Sequence, residues 1–261
     1  LKRPVCAQPM IAFNYRAYNL EIDTCKDEHG FWLDAGEDGK VRDIIEERIR
    51  GLGRAASAEA SWHGFFVESF VDELAHAAGK DPLEYRRALL KNAPRHLATL
   101  NLAAEKAGWG PPLGAGRARG IAMVESFQSI VVHVVEITID QKGGVKVDRV
   151  VSAADCGMVV NPDGFKAQIE GGILFGLTAA LKGEITLDKG AVTQSNFTDY
   201  EMLRIADCPQ IEVHIREDDG PVGGAGEPGV PPLAPAVTNA IFAATGMRIR
   251  ELPIKNHTLK V

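Results

Sequence analysis

The segment GGAGEPGVPP, residues 223–232, carries one carboxylate, Glu227, between a glycine and a proline. Glycine permits backbone angles that other residues avoid, and proline removes backbone freedom, so the two together can hold one side chain in a single pose. A rigid, ionised glutamate beside a reacting atom can act as a general base. The same composition also fits a solvated turn, and this segment taken alone favours the turn.

A second candidate segment is AADCGMVVNPDGFKAQIEGG, residues 153–172, in which a predicted strand ends at Asp155 and a helix follows Asn161. Such a junction presents backbone N–H groups and a helix N-terminus to an anion such as phosphate. Gly171, Gly172 and Gly176 each cost about 1 kcal/mol relative to alanine inside a helix. Something must therefore approach this backbone closely. Tight packing without a ligand is the alternative, and the segment alone favours packing.

Other polar residues give weaker signals. The segment SNFTDYEMLR, residues 195–204, fits a pocket wall, but a connecting loop is the favoured interpretation. His133 shares one strand face with Val131 and Val135, so a core histidine is favoured over a ligand. The cysteines are too far apart for a zinc or iron–sulfur site built by this chain alone; they are Cys6, Cys25, Cys156 and Cys208. We predict no metal ligand from the protein.

The elements that must position these residues follow from periodicity and caps. Residues 1–56 are of unclear assignment, with a surface helix predicted at 41–50 and a linker at 53–61. Helices are predicted at 64–78, after Asp81, at 94–107, 161–181 and 233–245. Strands are predicted at 120–126, 130–140, 145–155, 183–187, 191–194, 210–216 and 248–254. This order predicts an α+β fold, with mixed and antiparallel strands and flanking helices over residues 57–261.

Composition excludes some partners. The chain has 261 residues, 45% of them hydrophobic, and a net charge of −6 without a basic stripe, which argues against nucleic-acid binding. No apolar run approaches the roughly 20 residues that a membrane span needs. The first residues show no secretory signal pattern, and the compartment stays open between cytoplasm and periplasm of a bacterial-type cell.

Four stretches in a fixed order resemble the molybdenum-hydroxylase (xanthine oxidase) family, in the C-terminal part of its molybdopterin-binding large subunit. They are FFVESFVDELAHAAGKDPLEYRRALL, AADCGMVVNPDGFKAQIEGGILFGLTAALKGEIT, QSNFTDYEMLR and GGAGEPGVPPLAPAVTNAIFAATG. The resemblance runs from about residue 57 to about residue 256. It is similar above all to the branch of isoquinoline 1-oxidoreductases and aldehyde dehydrogenases, whose fold is of the aldehyde/xanthine dehydrogenase type.

The resemblance implies an oxidoreductase that hydroxylates an N-heterocycle or aldehyde with oxygen from water. In the family, the Gly-Glu-Pro glutamate lies beside molybdenum and acts as general base; here it is Glu227. The family's cofactor-contacting residues correspond here to Asp155, Gly157, Asn161, Gln168 and Gly226. The implied cofactor is molybdopterin cytosine dinucleotide. The implied partner is a small subunit that carries two [2Fe–2S] clusters.

The resemblance covers only part of the family's large subunit. The earlier glycine-rich cofactor motifs of the family have no counterpart in this sequence, so we expect the chain to supply part of a cofactor site. The missing N-terminal part of the large subunit is then a further expected partner. The alternative is a truncated, non-catalytic homologue that lacks a complete molybdenum site.

Overall fold

The structure is a computed structural model, and it describes residues 11–15, 20–24, 31–32, 57–218 and 220–259. The chain divides into two compact units, Leu1–Gly51 and Leu52–Val261. In the first unit, β1 (Ile11–Tyr15), β2 (Leu20–Thr24) and β3 (Phe31–Trp32) form an antiparallel sheet in that order. The helix predicted at 41–50 lies outside the described residues, and the division at residues 56 and 57 stays a prediction.

A four-stranded sheet forms the centre of the second unit, from β4 (Arg117–Ser126), β5 (Ser129–Ile139), β6 (Val145–Asp155) and β9 (Gln210–Ile215), hydrogen-bonded in that order. Two short strands, β7 (Leu187–Asp188) and β8 (Ala191–Val192), form a separate antiparallel pair. The first three strands of the four-stranded sheet are antiparallel, whereas β9 pairs parallel to β6. The predicted hairpin of residues 130–155 is therefore confirmed, as is the mixed sheet of an α+β fold.

Five α-helices in the described part of the second unit lie around the sheet, and several of their ends agree with the sequence patterns. They are α1 (Ser57–Ala77), α2 (Pro82–Leu89), α3 (Pro94–Ala107), α4 (Pro162–Leu181) and α5 (Leu233–Thr245). The Asp81 carboxylate accepts hydrogen bonds from the first amides of α2, and left-handed glycines end α3 and α5. No helix among the described residues is long and apolar enough to cross a bilayer.

Strand β5 lies at the centre of the core, because its residues are buried on both faces from Ser129 to Ile137. Helix α5 packs on β4 and β5 and contacts α4, while α3 packs on β5 and β6. The main apolar cluster joins alternate β5 residues such as Val131 and Val135 to residues of α4 and α5. The period of two along a strand explains this division of side chains between the two faces.

Two predicted elements differ in the structure. The linker predicted at 53–61 is wrong from residue 57 onward, because α1 begins at Ser57. The strand predicted at 248–254 is also wrong. There, Arg248 and Arg250 bind Asp72 and Glu73 of α1, a cis peptide precedes Pro253, and a 3₁₀ turn follows at Ile254–Asn256. The guanidinium contacts replace the backbone pairing that alternating apolar residues predict.

Candidate functional site

A cavity of about 550 Å³ opens where α1, α4 and the glycine-rich segment meet. Each of the three elements contributes part of its wall: Ser61 from α1; Gln168, Gly171, Gly172 and Phe175 from α4; Gly226, Glu227 and Val230 from the segment. Three of the predicted site residues, Gln168, Gly226 and Glu227, therefore share one cavity. The other three, Asp155, Gly157 and Asn161, do not line it.

Glu227 and Gln168 are the polar side chains with unused hydrogen-bonding capacity in this wall. Both residues are exposed, and neither side chain has a hydrogen-bond partner among the described residues. At Gly226, a Cβ atom would lie 3.9 Å from the Gln168 amide nitrogen. Gln168 therefore borders the residue directly before Glu227. An amide that can donate and accept and a carboxylate that can accept protons are both open to a molecule in the cavity.

The glycines of α4 have two different explanations. A Cβ at Gly172 would lie 3.3 Å from Gly229, and one at Gly176 would lie 3.1 Å from the Val230 carbonyl oxygen, so both allow close helix packing. A Cβ at Gly171 would meet nothing within 4 Å, and this residue faces the cavity. Packing therefore accounts for Gly172 and Gly176, whereas Gly171 keeps space open beside the helix backbone.

Backbone hydrogen bonds fix the glycine-rich segment from its first residues. The amide of Gly223 donates to the Cys156 carbonyl at 2.9 Å, and the amide of Gly224 donates to the Phe127 carbonyl at 2.8 Å. The Ser129 hydroxyl donates to the Gly224 carbonyl at 2.6 Å. The freedom that glycine permits is not used for a left-handed backbone here, because none of Gly223, Gly224 and Gly226 has a left-handed φ. At Gly223 and Gly224 close contact is the reason instead: a Cβ would lie 2.3 Å from Ser129 Oγ and 2.8 Å from Phe127.

The turn that supports this segment is itself unusual. Phe127 and Gln128 join β4 to β5 with φ angles of 52° and 65°, a conformation that usually requires glycine or asparagine. The Phe127 carbonyl accepts from Gly224, and the Gln128 carbonyl accepts from Arg95 at 3.1 Å. Both residues of the strained turn therefore have a hydrogen-bonded carbonyl, and the turn lies directly beneath the segment that carries Glu227.

A buried ion cluster centred on Asp155 lies beneath the same segment. The fully buried Asp155 carboxylate accepts from Arg95 Nη2 at 2.7 Å, and its second oxygen also binds Arg216. Asp218 binds Arg216 at 2.6 Å and accepts from the Gly220 amide at 2.8 Å. The hydrogen bonds to Asp155 raise the pKa of Arg95. Sequence reasoning missed both arginines, because each is about 60 residues from Asp155 and belongs to no local motif.

The three predicted cofactor residues outside the cavity have structural partners. Asp155 also accepts from the Gly157 amide at 3.0 Å. Gly157 has a φ of 74°, and a Cβ there would lie 2.7 Å from the carbonyl oxygens of Gly220 and Pro221. Asn161 caps α4 by accepting from the Gly164 amide at 3.0 Å. These contacts order the junction, and direct contact of these residues with a cofactor stays a prediction.

His133 anchors the far end of the glycine-rich segment. The residue is fully buried in β5, and its Nε2 lies 2.8 Å from the Gly229 carbonyl oxygen. A carbonyl only accepts, so Nε2 carries a proton and donates it to this bond. Burial lowers the pKa of His133 to about 4, although the bond to Gly229 opposes this shift. The core-histidine interpretation fits this geometry, and the bond to the segment of Glu227 is the part that the sequence did not indicate.

We predict that His133 makes the folded chain less stable in acid. The pKa of His133 is lowered on folding. The full free energy of unfolding is therefore present above pH 6.5, the pKa of the residue in the unfolded chain, and it decreases as the pH falls towards 4. Between pH 7 and pH 5 this loss amounts to about 2 kcal/mol of unfolding free energy. Urea denaturation at a series of pH values measures it.

A His133→Gln variant is the control, because glutamine donates a hydrogen bond but does not titrate. The other histidines contribute equally to both proteins, so the difference between the two pH profiles isolates residue 133. Equal slopes between pH 7 and pH 5 would show that His133 is not buried in its neutral form.

The loop at residues 195–204 does not line the cavity. Its Asp199 carboxylate accepts from the amides of Ser195 and Asn196, which closes a local turn. These hydrogen bonds lower the pKa of Asp199, with the Asn196 amide as the largest cause. The connecting-loop interpretation therefore fits this segment better than the pocket-wall interpretation.

Comparison with known proteins identifies the family. The model of the molybdopterin cofactor-binding domain matches residues 41–209, which is more than half of the chain. The isoquinoline 1-oxidoreductase subunit beta of Brevundimonas diminuta is 38% identical over 211 residues, which cover 79% of this chain and 26% of that protein. The membrane-bound aldehyde dehydrogenase [pyrroloquinoline-quinone] of Gluconacetobacter polyoxogenes is 31% identical, over 87% of this chain and 32% of that protein.

A solved structure shares the fold. The aldehyde oxidoreductase of Desulfovibrio gigas superposes with a TM-score of 0.57 at 15% identity, over 75% of this chain and 40% of that chain. By the coverages given above, this chain spans about a quarter to a third of the length of the two curated relatives. The resemblance inferred from the four sequence stretches is confirmed, and the chain belongs to the molybdopterin cofactor-binding domain family.

Proposed function

We propose that this chain forms part of a molybdenum-dependent oxidoreductase that hydroxylates an N-heterocycle or an aldehyde, with Glu227 as general base. One observation carries the proposal. The Glu227 carboxylate, on a backbone fixed by hydrogen bonds, and the unpartnered Gln168 amide line the same cavity, whose wall also contains glycines. Family membership supplies the redox chemistry, and the named relatives, an isoquinoline oxidoreductase subunit and an aldehyde dehydrogenase, suggest the two substrate classes.

The residues of this cavity fit a pterin cofactor. The space beside Gly171 is open to a planar ring, and the Gln168 amide can both donate to and accept from such a ring. No protein metal ligand is needed, because the organic cofactor holds its own metal. When bound, the cofactor supplies two-electron redox chemistry and the site at which water-derived oxygen is activated. We propose the cytosine dinucleotide form, on the basis of the family branch.

Glu227 holds and moves the proton in this proposal. Its carboxylate accepts a proton during oxygen transfer and releases it to solvent through the open side of the cavity. The backbone on both sides of Glu227 is hydrogen-bonded, at Gly224 and at Gly229, and its own carbonyl accepts from the Val230 amide at 2.9 Å. Because these bonds order the backbone before substrate arrives, little reorganisation is needed at the reacting atom.

Gln168 and Asp155 have different parts in the proposal. Gln168 contacts the cofactor from α4, with Gly226 bordering the same space. Asp155 and Gly157 act from beneath, through the ion cluster and the close packing of residues 220–221. Asn161 sets the first turn of α4 and thereby the direction of the Gln168 side chain.

We further propose two protein partners, a small subunit with two [2Fe–2S] clusters and the remainder of the large subunit. Phe175 on the cavity wall is 71% exposed, and on α1 Trp62 and Phe66 are 71% and 56% exposed. Large apolar side chains with this exposure are typical of surfaces that another protein segment covers. Such a segment would complete the cavity wall beside Phe175.

The alternative function is a non-catalytic homologue that folds or associates without a complete molybdenum site. The open polar cavity with an unpartnered carboxylate and amide favours catalysis over this alternative. The two candidates differ in whether molybdenum accompanies the chain.

Purification from the complete gene neighbourhood tests the proposal. We expect molybdenum by elemental analysis, cytidine monophosphate after acid hydrolysis, and an iron–sulfur polypeptide to co-purify with this chain. Gln168→Ala should lower molybdenum content several-fold, because it removes the amide that faces the cavity. Lys166→Ala, two residues earlier on the same helix and outside the cavity wall, should leave the molybdenum content unchanged.

Each contrary result has a definite meaning. A chain that folds and finds its partners but carries no molybdenum would establish the non-catalytic alternative. Normal molybdenum content in Gln168→Ala would assign the α4 surface to packing alone, while leaving the base role of Glu227 to its own test.

A further inference from the structure

We propose that His133 is a positioning residue for Glu227, which acts by holding the Gly229 carbonyl and so fixing the backbone on the C-terminal side of the acid. This inference rests on the proposed function of Glu227. His133 does not line the cavity, and its effect passes through one buried hydrogen bond.

The exposure of the segment changes abruptly beside Glu227. Glu227 is exposed, but the next two residues, Pro228 and Gly229, are buried. Proline restricts its own backbone angle, so it transmits the position of Gly229 to Glu227 with little freedom. The acid therefore projects into the cavity from a buried and rigid base, and the placement of that base depends on what holds Gly229.

Gly229 is held from two sides. His133 Nε2 on β5 donates to its carbonyl at 2.8 Å. On the opposite side, a Cβ at Gly229 would lie 2.9 Å from the Ile169 carbonyl oxygen of α4, so no larger residue fits between the sheet and that helix. Helix packing limits how close Gly229 approaches α4. Two hydrogen bonds orient its carbonyl: the one from His133, and the one that the Val230 amide of the same peptide plane donates to the Glu227 carbonyl.

The environment of His133 makes this bond specific. Its cross-strand neighbours are Ala122 and Ser152, and the Nδ1 atom has no hydrogen-bond partner among the described residues. Gly229 is the partner that the ring binds at 2.8 Å across the fold. A histidine that only filled space in an apolar core would destabilise the fold, because its polar atoms would lose their hydrogen bonds to water and gain none in exchange.

Two substitutions separate anchoring from packing. His133→Leu fills similar space but removes the donor, whereas His133→Gln keeps a donor at the end of the side chain. Ile137→Ala is the matched control, because Ile137 lies on the same strand, belongs to the main apolar cluster and is fully buried. Its loss leaves a cavity that destabilises the core by about 2–5 kcal/mol, while both partners of the His133–Gly229 hydrogen bond are kept.

The experiment uses the assembled molybdenum enzyme with its own substrate. In His133→Leu we expect kcat to fall about tenfold to hundredfold, with little change in KM or molybdenum content, because a small misplacement of the acid affects the reaction step. We expect His133→Gln to recover most of kcat and Ile137→Ala to retain wild-type kcat. Hydrogen exchange of the peptide covering residues 226–233 should accelerate about tenfold in His133→Leu only, since the Val230 amide depends on the position of Glu227.

Three results would overturn the inference while the proposed function survives, two of them kinetic. These are wild-type kcat in His133→Leu when Glu227→Gln is inactive, and an equal loss of kcat in His133→Leu, His133→Gln and Ile137→Ala. Unchanged hydrogen exchange at residues 226–233 in His133→Leu would also overturn it, because the anchor would then be absent. Full activity of Glu227→Gln in the same assay would instead reject the base itself, and this inference with it.

Discussion

Glu227→Gln lowers the turnover of the assembled enzyme by about 10²–10⁴-fold, the range that a general base contributes, while the molybdenum content stays near that of the wild type. The reason lies in the geometry of the segment. Glutamine keeps the shape and the backbone bonds at Gly224 and Gly229, so the cavity and its cofactor contacts persist. Only the ability to accept a proton disappears. Steady-state kinetics with metal analysis of the same preparation measure both quantities.

The control for this prediction is a glutamate outside the site. Glu105 on α3 has a side chain that is 73% exposed, and Glu105→Gln removes the same charge without touching the cavity. We expect its kinetics to match the wild type. Comparable turnover in Glu227→Gln and Glu105→Gln would remove Glu227 from the base role, and the open carboxylate would then serve only as part of a binding wall.

Much of the fold was predictable because its signals are local. The Asp81 cap, the proline that opens α4 and the glycines that end α3 and α5 each act within one helical turn. The hairpin of β5 and β6 follows from two apolar runs and a glycine-containing turn. The prediction of a strand at 248–254 was wrong because Arg248 and Arg250 form ion pairs with α1 and the segment does not pair with a described strand. No pattern inside that segment indicates such a distant contact.

The site was predictable only in part for the same physical reason. Gln168 and Glu227 were found through family motifs, but their convergence depends on α4 packing against residues 229–233. The supports of the segment come from β5, the β4–β5 turn and α3, between 60 and 97 residues from their partners. A lone arginine such as Arg95 or a lone histidine such as His133 has no sequence context that distinguishes it from a surface or core residue.

Loss of the Asp155 carboxylate has the second large effect, on stability rather than on the reaction step. In Asp155→Ala, Arg95 and Arg216 lose their shared, fully buried partner, and the Gly157 amide loses its acceptor. Removing one member of a buried ion cluster costs about 3–5 kcal/mol. The lower end applies here, because both arginines are about a quarter exposed and retain Asp218. Urea denaturation of the chain at pH 7 measures the loss.

Asp218→Ala is the matched comparison, because Asp218 binds the same arginines but its side chain is 21% exposed. We expect a loss of about 1 kcal/mol, in keeping with a partly solvated pair. The contrast decides between two roles for Asp155. If Asp155→Ala keeps wild-type stability but fails to retain molybdenum, the direct cofactor contact implied by the family motif is correct. If stability falls first and molybdenum is lost only with folding, Asp155 serves the site from beneath, by holding Gly157 and residues 220–221 in the position from which the Glu227 segment begins.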